Sequence, residues 1–286
     1  MLNRRKFIAL TAGAPAAVAA IDLSRIPTRR AGKVEIAFKS PGPHPNGLQA
    51  TAEGLWIIDQ SDGSKVYLVS YDGGKVLRSF NTDTDKSSGI TYENGTLWIG
   101  STYSREIVHC DATTGKTIAR YFTPGAGVIY KMVGDPPARS SPLASKKPVT
   151  PNTGKKPQQV GGFQAGYVLG SKALGTGAHG QEWRDGYLWC AVPPSREVYQ
   201  IDPKTWIVQK KFPTAGNRPH GIGWEGKYLW VTDSNLNAFF KHDPLTGEMV
   251  EKIQLADTDP LPHGMSIRQG WLWYCDDVGV VCRMKL

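Results

Sequence analysis

The sequence predicts an all-β protein: a six-bladed β-propeller with four-stranded blades, its N-terminal strand closing the last blade, with a seven-bladed ring as the alternative. Three observations carry the prediction. A Leu-Trp pair recurs at Trp56, Trp98, Trp189, Trp230 and Trp273, each time after a glycine, a short apolar strand and a polar turn. Successive tryptophans are 42, 91, 41 and 43 residues apart, and four short strands in about 42 residues is the length of one blade. With 32 glycines, 20 prolines and 21% charged residues in 286, the chain is a turn-rich globule, neither disordered nor fibrous nor multi-pass membrane.

Taken in order, residues 1–20 have the form of an export signal. Arg4, Arg5 and Lys6 make a basic start, an Ala/Gly-rich stretch follows, and Ala17-Val18-Ala19-Ala20 supplies small residues for cleavage. The paired arginines ahead of Phe7 match a twin-arginine signal, so the twin-arginine translocase is an expected partner and the periplasm or the exterior the expected address. An ordinary secretory signal is the alternative. The stretch is too short and too poor in large apolar side chains to stay in a membrane. Residues 21–32 are expected to be a linker and 33–286 a single propeller domain.

Within that domain, Lys33 to Phe38 is an orphan strand that could complete the last blade, which otherwise stops at three strands and leaves an open edge. The blades begin at Gly47, Gly89, Gly180, Gly221 and Gly264. The 91-residue interval is about two periods, so one divergent copy is expected inside it, giving six. A Pro- and Lys-rich insertion at 135–162 is expected as a long surface loop of the third blade. It concentrates positive charge: removing the signal lowers the formal +9 to about +6, and Lys131, Arg139, Lys146, Lys147, Lys155 and Lys156 supply most of the remainder. Such a loop could dock an anionic ligand. A basic stretch almost without stacking aromatics, on an exported chain, argues against nucleic acid.

In a propeller the loops leading into the innermost strands open on one face, together with the loops between second and third strands. Three histidines, His179, His220 and His263, directly precede blade glycines, with Asn46 and Ser88 at the same position in the first two blades. Three converging imidazoles could hold a divalent metal ion or share proton transfer, so His220, His263 and the nearby Glu182 are the candidate catalytic groups and His179, His220 and His263 the candidate metal ligands. A repeated His that merely caps a turn is the alternative. Around the same opening, His44, Asn46, Asp59, Arg105, Arg196, Asp233, Asn235 and Asp276 are candidates for binding substrate. The Leu-Trp tryptophans are expected to pack between blades, and Asp72, Asp111, Asp202 and Asp243 to form turns. Cys275 and Cys282, on adjacent strands, are either a disulfide that locks the ring or two thiols facing opposite sides.

The repeated starts Pro219-His220-Gly221-Ile222 and Pro262-His263-Gly264-Met265, followed by Gly-x-Leu-Trp, resemble the streptogramin lyase (virginiamycin B lyase-like) propellers. That resemblance covers about 240 residues and implies a metal-assisted elimination that opens a cyclic depsipeptide ester, with His220 and His263 at matching positions and His179 a looser third. Asp233 or Asp276 stands near the family's glutamate and its phenylalanine is missing, which weighs against the antibiotic substrate more than against the fold. Asn46-Gly47-Leu48 and the Asp-x-x-Thr-Gly turns bear a weaker similarity to glutamine cyclotransferase propellers. Gluconolactonase-type propellers use acidic and asparagine calcium ligands where this chain has histidine. The expected function is therefore an exported lyase or hydrolase of a small cyclic or ester-containing molecule, without organic cofactor and monomeric. The alternatives are a non-catalytic periplasmic binding propeller and a glutaminyl cyclotransferase.

Overall fold

The computed structural model describes residues 21–61, 64–129, 132, 134–144, 163–164, 167–168 and 176–286. The expected export signal at 1–20 and most of the basic insertion lie outside these residues. The chain begins with a 3-10 turn at Leu23–Arg25, then β1 (Thr28–Arg30) and β2 (Glu35–Lys39). Blade 1 is β3 (Pro45–Ala50), β4 (Leu55–Asp59), β5 (Lys65–Val69) and β6 (Val76–Asn81). Blade 2 is β7 (Ser87–Glu93), β8 (Thr96–Ser101), β9 (Glu106–Asp111) and β10 (Thr117–Phe122). A small hairpin, β11 (Phe163–Gln164) and β12 (Tyr167–Val168), stands apart from the blades.

Blade 3 is β13 (Gly180–Arg184), β14 (Tyr187–Val192), β15 (Glu197–Asp202) and β16 (Ile207–Pro213). Blade 4 is β17 (Pro219–Glu225), β18 (Tyr228–Asp233), β19 (Ala238–His242) and β20 (Met249–Gln254), with β1 added in parallel outside β20. Blade 5 is β21 (Met265–Arg268), β22 (Trp271–Asp276) and β23 (Val280–Lys285), and β2 pairs antiparallel with β23 as its outer strand. The stretch 21–32, expected as a linker, is therefore partly built into blade 4.

The ring has five blades, which corrects the expectation of six, or seven, blades. The decisive contacts are between blades 2 and 3. Ser88 Oγ donates to the His179 carbonyl at 3.2 Å, and the Gly177 N–H donates to the Thr102 carbonyl at 3.0 Å. With these strands touching, no blade can stand between them. The surplus residues instead leave and return at one point, where Gly127 and Thr176 pair through two backbone hydrogen bonds.

Five blades meet tightly at the axis, and the glycine of each innermost segment is what permits it. A Cβ on Gly47, Gly89, Gly180, Gly221 or Gly264 would come closer than 3.0 Å to the backbone of the next blade around the ring. Only hydrogen fits there. The tryptophans fill the wider wedges farther out. Trp56 stacks on Tyr92 of the next blade at 5.9 Å, Trp98 on Trp183 at 5.7 Å, and Trp189 meets Trp224 edge-on at 5.2 Å. Trp230 packs with Ile267, and Trp273 with Ala50 and Tyr71. Each wedge thus joins a second-strand tryptophan to the first strand of its neighbour, and burying such rings is the main apolar gain of the fold.

All four cysteines are free and buried. Cys275 packs in the cluster between blades 5 and 1, Cys282 in the cluster between blades 4 and 5. They face opposite sides of one sheet and cannot bridge.

Candidate functional site

Above the glycine collar, the residues preceding the glycines converge on the axis. The pairing register shifts at or directly before the glycine in β3, β7 and β17, and this irregularity lets both the residue before the glycine and the one two positions after it face inward. The upper layer holds His179, His220, His263 and Asn46. The rings of His179 and His220 meet edge-on at 4.7 Å, and those of His220 and His263 lie 4.3 Å apart. His220, His263 and Asn46 are buried, and His179 is half-buried.

The hydrogen bonds fix where each proton sits. His220 Nδ1 lies 3.1 Å from the Arg218 carbonyl, which can only accept, so that nitrogen carries hydrogen and Nε2 does not. His179 Nδ1, 3.2 Å from this Nε2, therefore donates to it, and His179 Nε2 accepts from the Thr176 hydroxyl at 2.6 Å. Ser234 gives its proton to the Pro262 carbonyl at 2.6 Å and faces His220 Nδ1 with a lone pair at 3.3 Å. His263 donates from Nδ1 to Asn46 Oδ1 at 3.0 Å and accepts at Nε2 from Arg218 Nη2 at 3.2 Å. All three imidazoles are neutral in this pattern.

Their surroundings hold them so. Burial, then the Arg218 charge, pulls His179 down to about 3. His220 is pulled well below the usual imidazole range by burial, the two flanking imidazoles and Arg218, and His263 by burial, Arg218, His44 and His179. Arg218 is itself lowered by burial, against the opposing pull of Asp277 and Asp233. Asp277 Oδ2 lies 3.5 Å from His263 Nε2.

This donor set does not fit the expected metal. Each imidazole has one lone pair, and the three are engaged by Thr176, His179 and Arg218. Among the described residues no three His, Cys, Asp or Glu side chains are grouped so as to hold an ion. Proton transfer is the chemistry such a cluster retains.

Glu182 lies elsewhere on the axis. Two residues beyond its glycine, it shares a layer below the collar with Gln49 and Ser266, which donate to its Oε1 at 3.3 Å each, while Thr91 donates to Gln49 at 2.6 Å. Burial, partly offset by those two hydrogen bonds, raises its carboxyl to about 8. The collar separates it from the histidines.

Asp59, Asp233 and Asp276 are buried ends of second strands. Each carboxylate joins two loops. One oxygen accepts the N–H of the residue three before a blade glycine, His44, Arg218 and Leu261 respectively, at 2.7, 3.0 and 2.6 Å. The other accepts from the following turn, at Ser61, Leu236 and Val278. Burial raises Asp276 to about 6 and also raises Asp233, against their backbone donors. These groups shape the face and leave little of themselves to a ligand. His44 is half-buried near His263, and Arg105 is exposed in the turn of blade 2, holding Thr123 N–H with its carbonyl at 2.9 Å.

Arg196, Asn235 and Asp276 are engaged by the chain itself. Segment 134–144, the described part of the insertion, crosses from blade 3 to blade 5. Arg196 makes two 2.7 Å bonds to Asp135, Asn235 Oδ1 accepts the Arg139 N–H at 3.1 Å, and Ser141 donates to Asp276 at 2.6 Å. Arg218 Nη1 donates to the Arg139 carbonyl at 3.1 Å. Arg218, Asp277 and Thr176 were not among the sequence candidates. The available signal for Arg218 is its place in Arg218-Pro219-His220-Gly221, a position filled by His44 and Leu261 in the related blade starts.

No protein-family model and no curated protein matches the chain. Its solved structural neighbours include a glutaminyl cyclase from Myxococcus xanthus, with a TM-score of 0.58 at 7% identity over 91% of this chain and 97% of that one. They also include a streptogramin B lyase, with a TM-score of 0.46 at 16% identity over 89% and 97% of the two chains. A catalytically inactive virginiamycin B lyase from Staphylococcus aureus with quinupristin gives 0.46 at 16% identity, over 85% and 66%. What is shared is the propeller fold. At such identities no site residue can be carried across, so the functional reading rests on the geometry above.

Proposed function

We propose that the chain is an exported propeller enzyme, a lyase before a hydrolase, acting by metal-independent proton transfer on a small cyclic or ester-containing substrate at the histidine face. The observation that carries this reading is the pairing of Arg218 with His263: a half-buried cation donates to the lone pair of a neutral imidazole whose other nitrogen is fixed by Asn46. When Arg218 turns Nη2 toward a substrate carboxyl or carbonyl oxygen, His263 Nε2 regains its lone pair beside that group. In an elimination, Nε2 takes the proton from carbon, the C–H electron pair forms the new double bond, and the C–O bond breaks to leave a carboxylate against Arg218. Asp277, 3.5 Å from Nε2, stabilises the imidazolium that forms. His220 and His179 back the wall of the site through Thr176 and the Arg218 carbonyl.

A second reading, a binding propeller without catalysis, draws support from the complete engagement of the imidazole lone pairs. One screen separates the two: turnover of lactones, depsipeptides and amino-terminal glutaminyl peptides, the last because one structural neighbour is a glutaminyl cyclase. The enzyme reading expects turnover of at least one class, undiminished by a chelator and lost in His263→Asn. Turnover of none, with tight binding of any, would replace it by the binding reading.

A further inference from the structure

Segment 134–144 meets the face through its backbone as well as its side chains. Asn235 takes the N–H of Arg139 and Arg218 holds its carbonyl, both at 3.1 Å, so donor and acceptor of a single residue are read by two separate blade-4 groups. Around this centre Arg196 grips Asp135 in a bidentate pair, the Arg139 guanidinium bonds Asp257 at 2.8 Å, and Ser141 is buried on Asp276. Burial works against the Asp135 charge, but the Arg196 hydrogen bonds, the Met132 N–H, the Arg196 charge and Asn217 together outweigh it and hold the carboxyl below its usual range. Pro136 and Pro137 keep residues 135–141 extended, so little chain entropy is lost in laying them across the blades. The Arg218 that holds this carbonyl is the same group that faces His263.

We infer that Arg218 and Asn235 form a seat for the backbone N–H and carbonyl of one residue, and that residues 135–141 are its built-in occupant, which an incoming ligand must displace. The inference deepens the reading of the histidine face as a ligand site and rests on it. The ligand then carries an amide or ester carbonyl for Arg218 with a hydrogen-bond donor on the same residue for Asn235. A tethered occupant competes at a high effective concentration, so the apparent affinity for any external ligand is reduced by the fraction of time the seat is open.

The test uses the full mature chain and a fluorescent, end-capped peptide of residues 135–141, Asp-Pro-Pro-Ala-Arg-Ser-Ser. In Asp135→Asn plus Ser141→Ala the tethered segment loses two anchors that the free peptide still carries. The peptide is expected to bind this variant at least about tenfold more tightly than the unaltered chain, and adding Asn235→Ala is expected to remove the gain. Equal affinity for the unaltered chain and the released variant would overturn the inference, as would a gain that survives Asn235→Ala. If the double variant fails to fold by circular dichroism, Arg139→Pro, which deletes the N–H given to Asn235 in an already extended segment, replaces it under the same criteria. Turnover is not read, so a failure here leaves the catalytic proposal standing, and loss of that proposal in the substrate screen leaves this binding result unaffected.

Discussion

Arg218 Nη2 donates to His263 Nε2 across 3.2 Å, and the same guanidinium holds the Arg139 carbonyl through Nη1 at 3.1 Å. One half-buried cation therefore links the imidazole proposed as base to the chain segment that covers it. Lysine cannot span both partners, because its ammonium is a point charge without the planar fork. Arg218→Lys is expected to lower kcat about 100-fold on any substrate found in the screen, the usual effect of losing one oxyanion donor, with a smaller change in KM. Steady-state kinetics check this, and an unchanged kcat would remove Arg218 from the mechanism.

Buried neutral histidines make stability depend on pH in a fixed direction. His179 is lowered to about 3 and His242, buried with Nδ1 on the Gly247 carbonyl, to about 4, against an ordinary value of 6.5. The unfolded chain takes up these protons first. Their contribution is therefore complete above about pH 6.5 and is lost as the pH falls toward 4 and then 3, at up to about 1.4 kcal/mol per pH unit per group. Urea midpoints between pH 7 and 4 should fall steeply, and less steeply in His242→Gln.

Glu182 works in the opposite sense. Its folded value, raised to about 8 from 4.5, favours folding at low pH and opposes it as the pH rises through that interval. Glu182→Gln keeps the acceptor for Gln49 and Ser266 and removes the titration. It is expected to stabilise the protein by a few kcal/mol at pH 8 and by almost nothing at pH 4. Equal effects at the two pH values would contradict the placement of Glu182 in a sealed layer.

The glycine collar predicts a large effect from one methyl group. Gly180→Ala should cost about 3 kcal/mol, the upper part of the range for overpacking, because its Cβ would meet the backbone of His220 rather than a flexible side chain. Gly186→Ala, with nothing within 4 Å of its Cβ but a φ of +82°, separates strain from overpacking and should cost only about 1 kcal/mol. Denaturant midpoints of the two variants compare them directly.

With the lone pairs of His179, His220 and His263 engaged, neither a chelator nor an added divalent ion should move the melting temperature by more than about 1 °C, since a ligand that does not bind the folded state cannot stabilise it. A large upward shift on adding an ion, abolished in His220→Ala plus His263→Ala, would restore the metal.

Much of this architecture is legible in the sequence, and the exceptions have physical causes. The Leu-Trp repeat exposes the blades and the wedges, because every blade must bury the same ring against its neighbour. The blade number is not legible, since an interval of 91 residues accommodates a hidden blade as well as a long excursion, and what decides between them is the contact of Ser88 with His179. The convergence of His179, His220 and His263 follows from the repeat. The roles of Asp59, Asp233 and Asp276 do not, because a repeated residue on the functional face can equally be one that every blade needs to join two loops. Arg218 escapes pattern reading for the converse reason: it occurs in one blade only. The engagement of Arg196, Asn235 and Asp276 by residues 135–141 depends on a loop whose path no periodicity describes.

The three imidazoles form a neutral, proton-ordered cluster whose base is held by Arg218, and nitrogen-15 NMR of the histidine rings reads those protons one by one. At pH 7 His179, His220 and His263 are all expected to be neutral with hydrogen on Nδ1, and none is expected to be protonated as the pH is lowered to about 5. Hydrogen on Nε2 of His263, or titration of any of the three near 6.5, would contradict it.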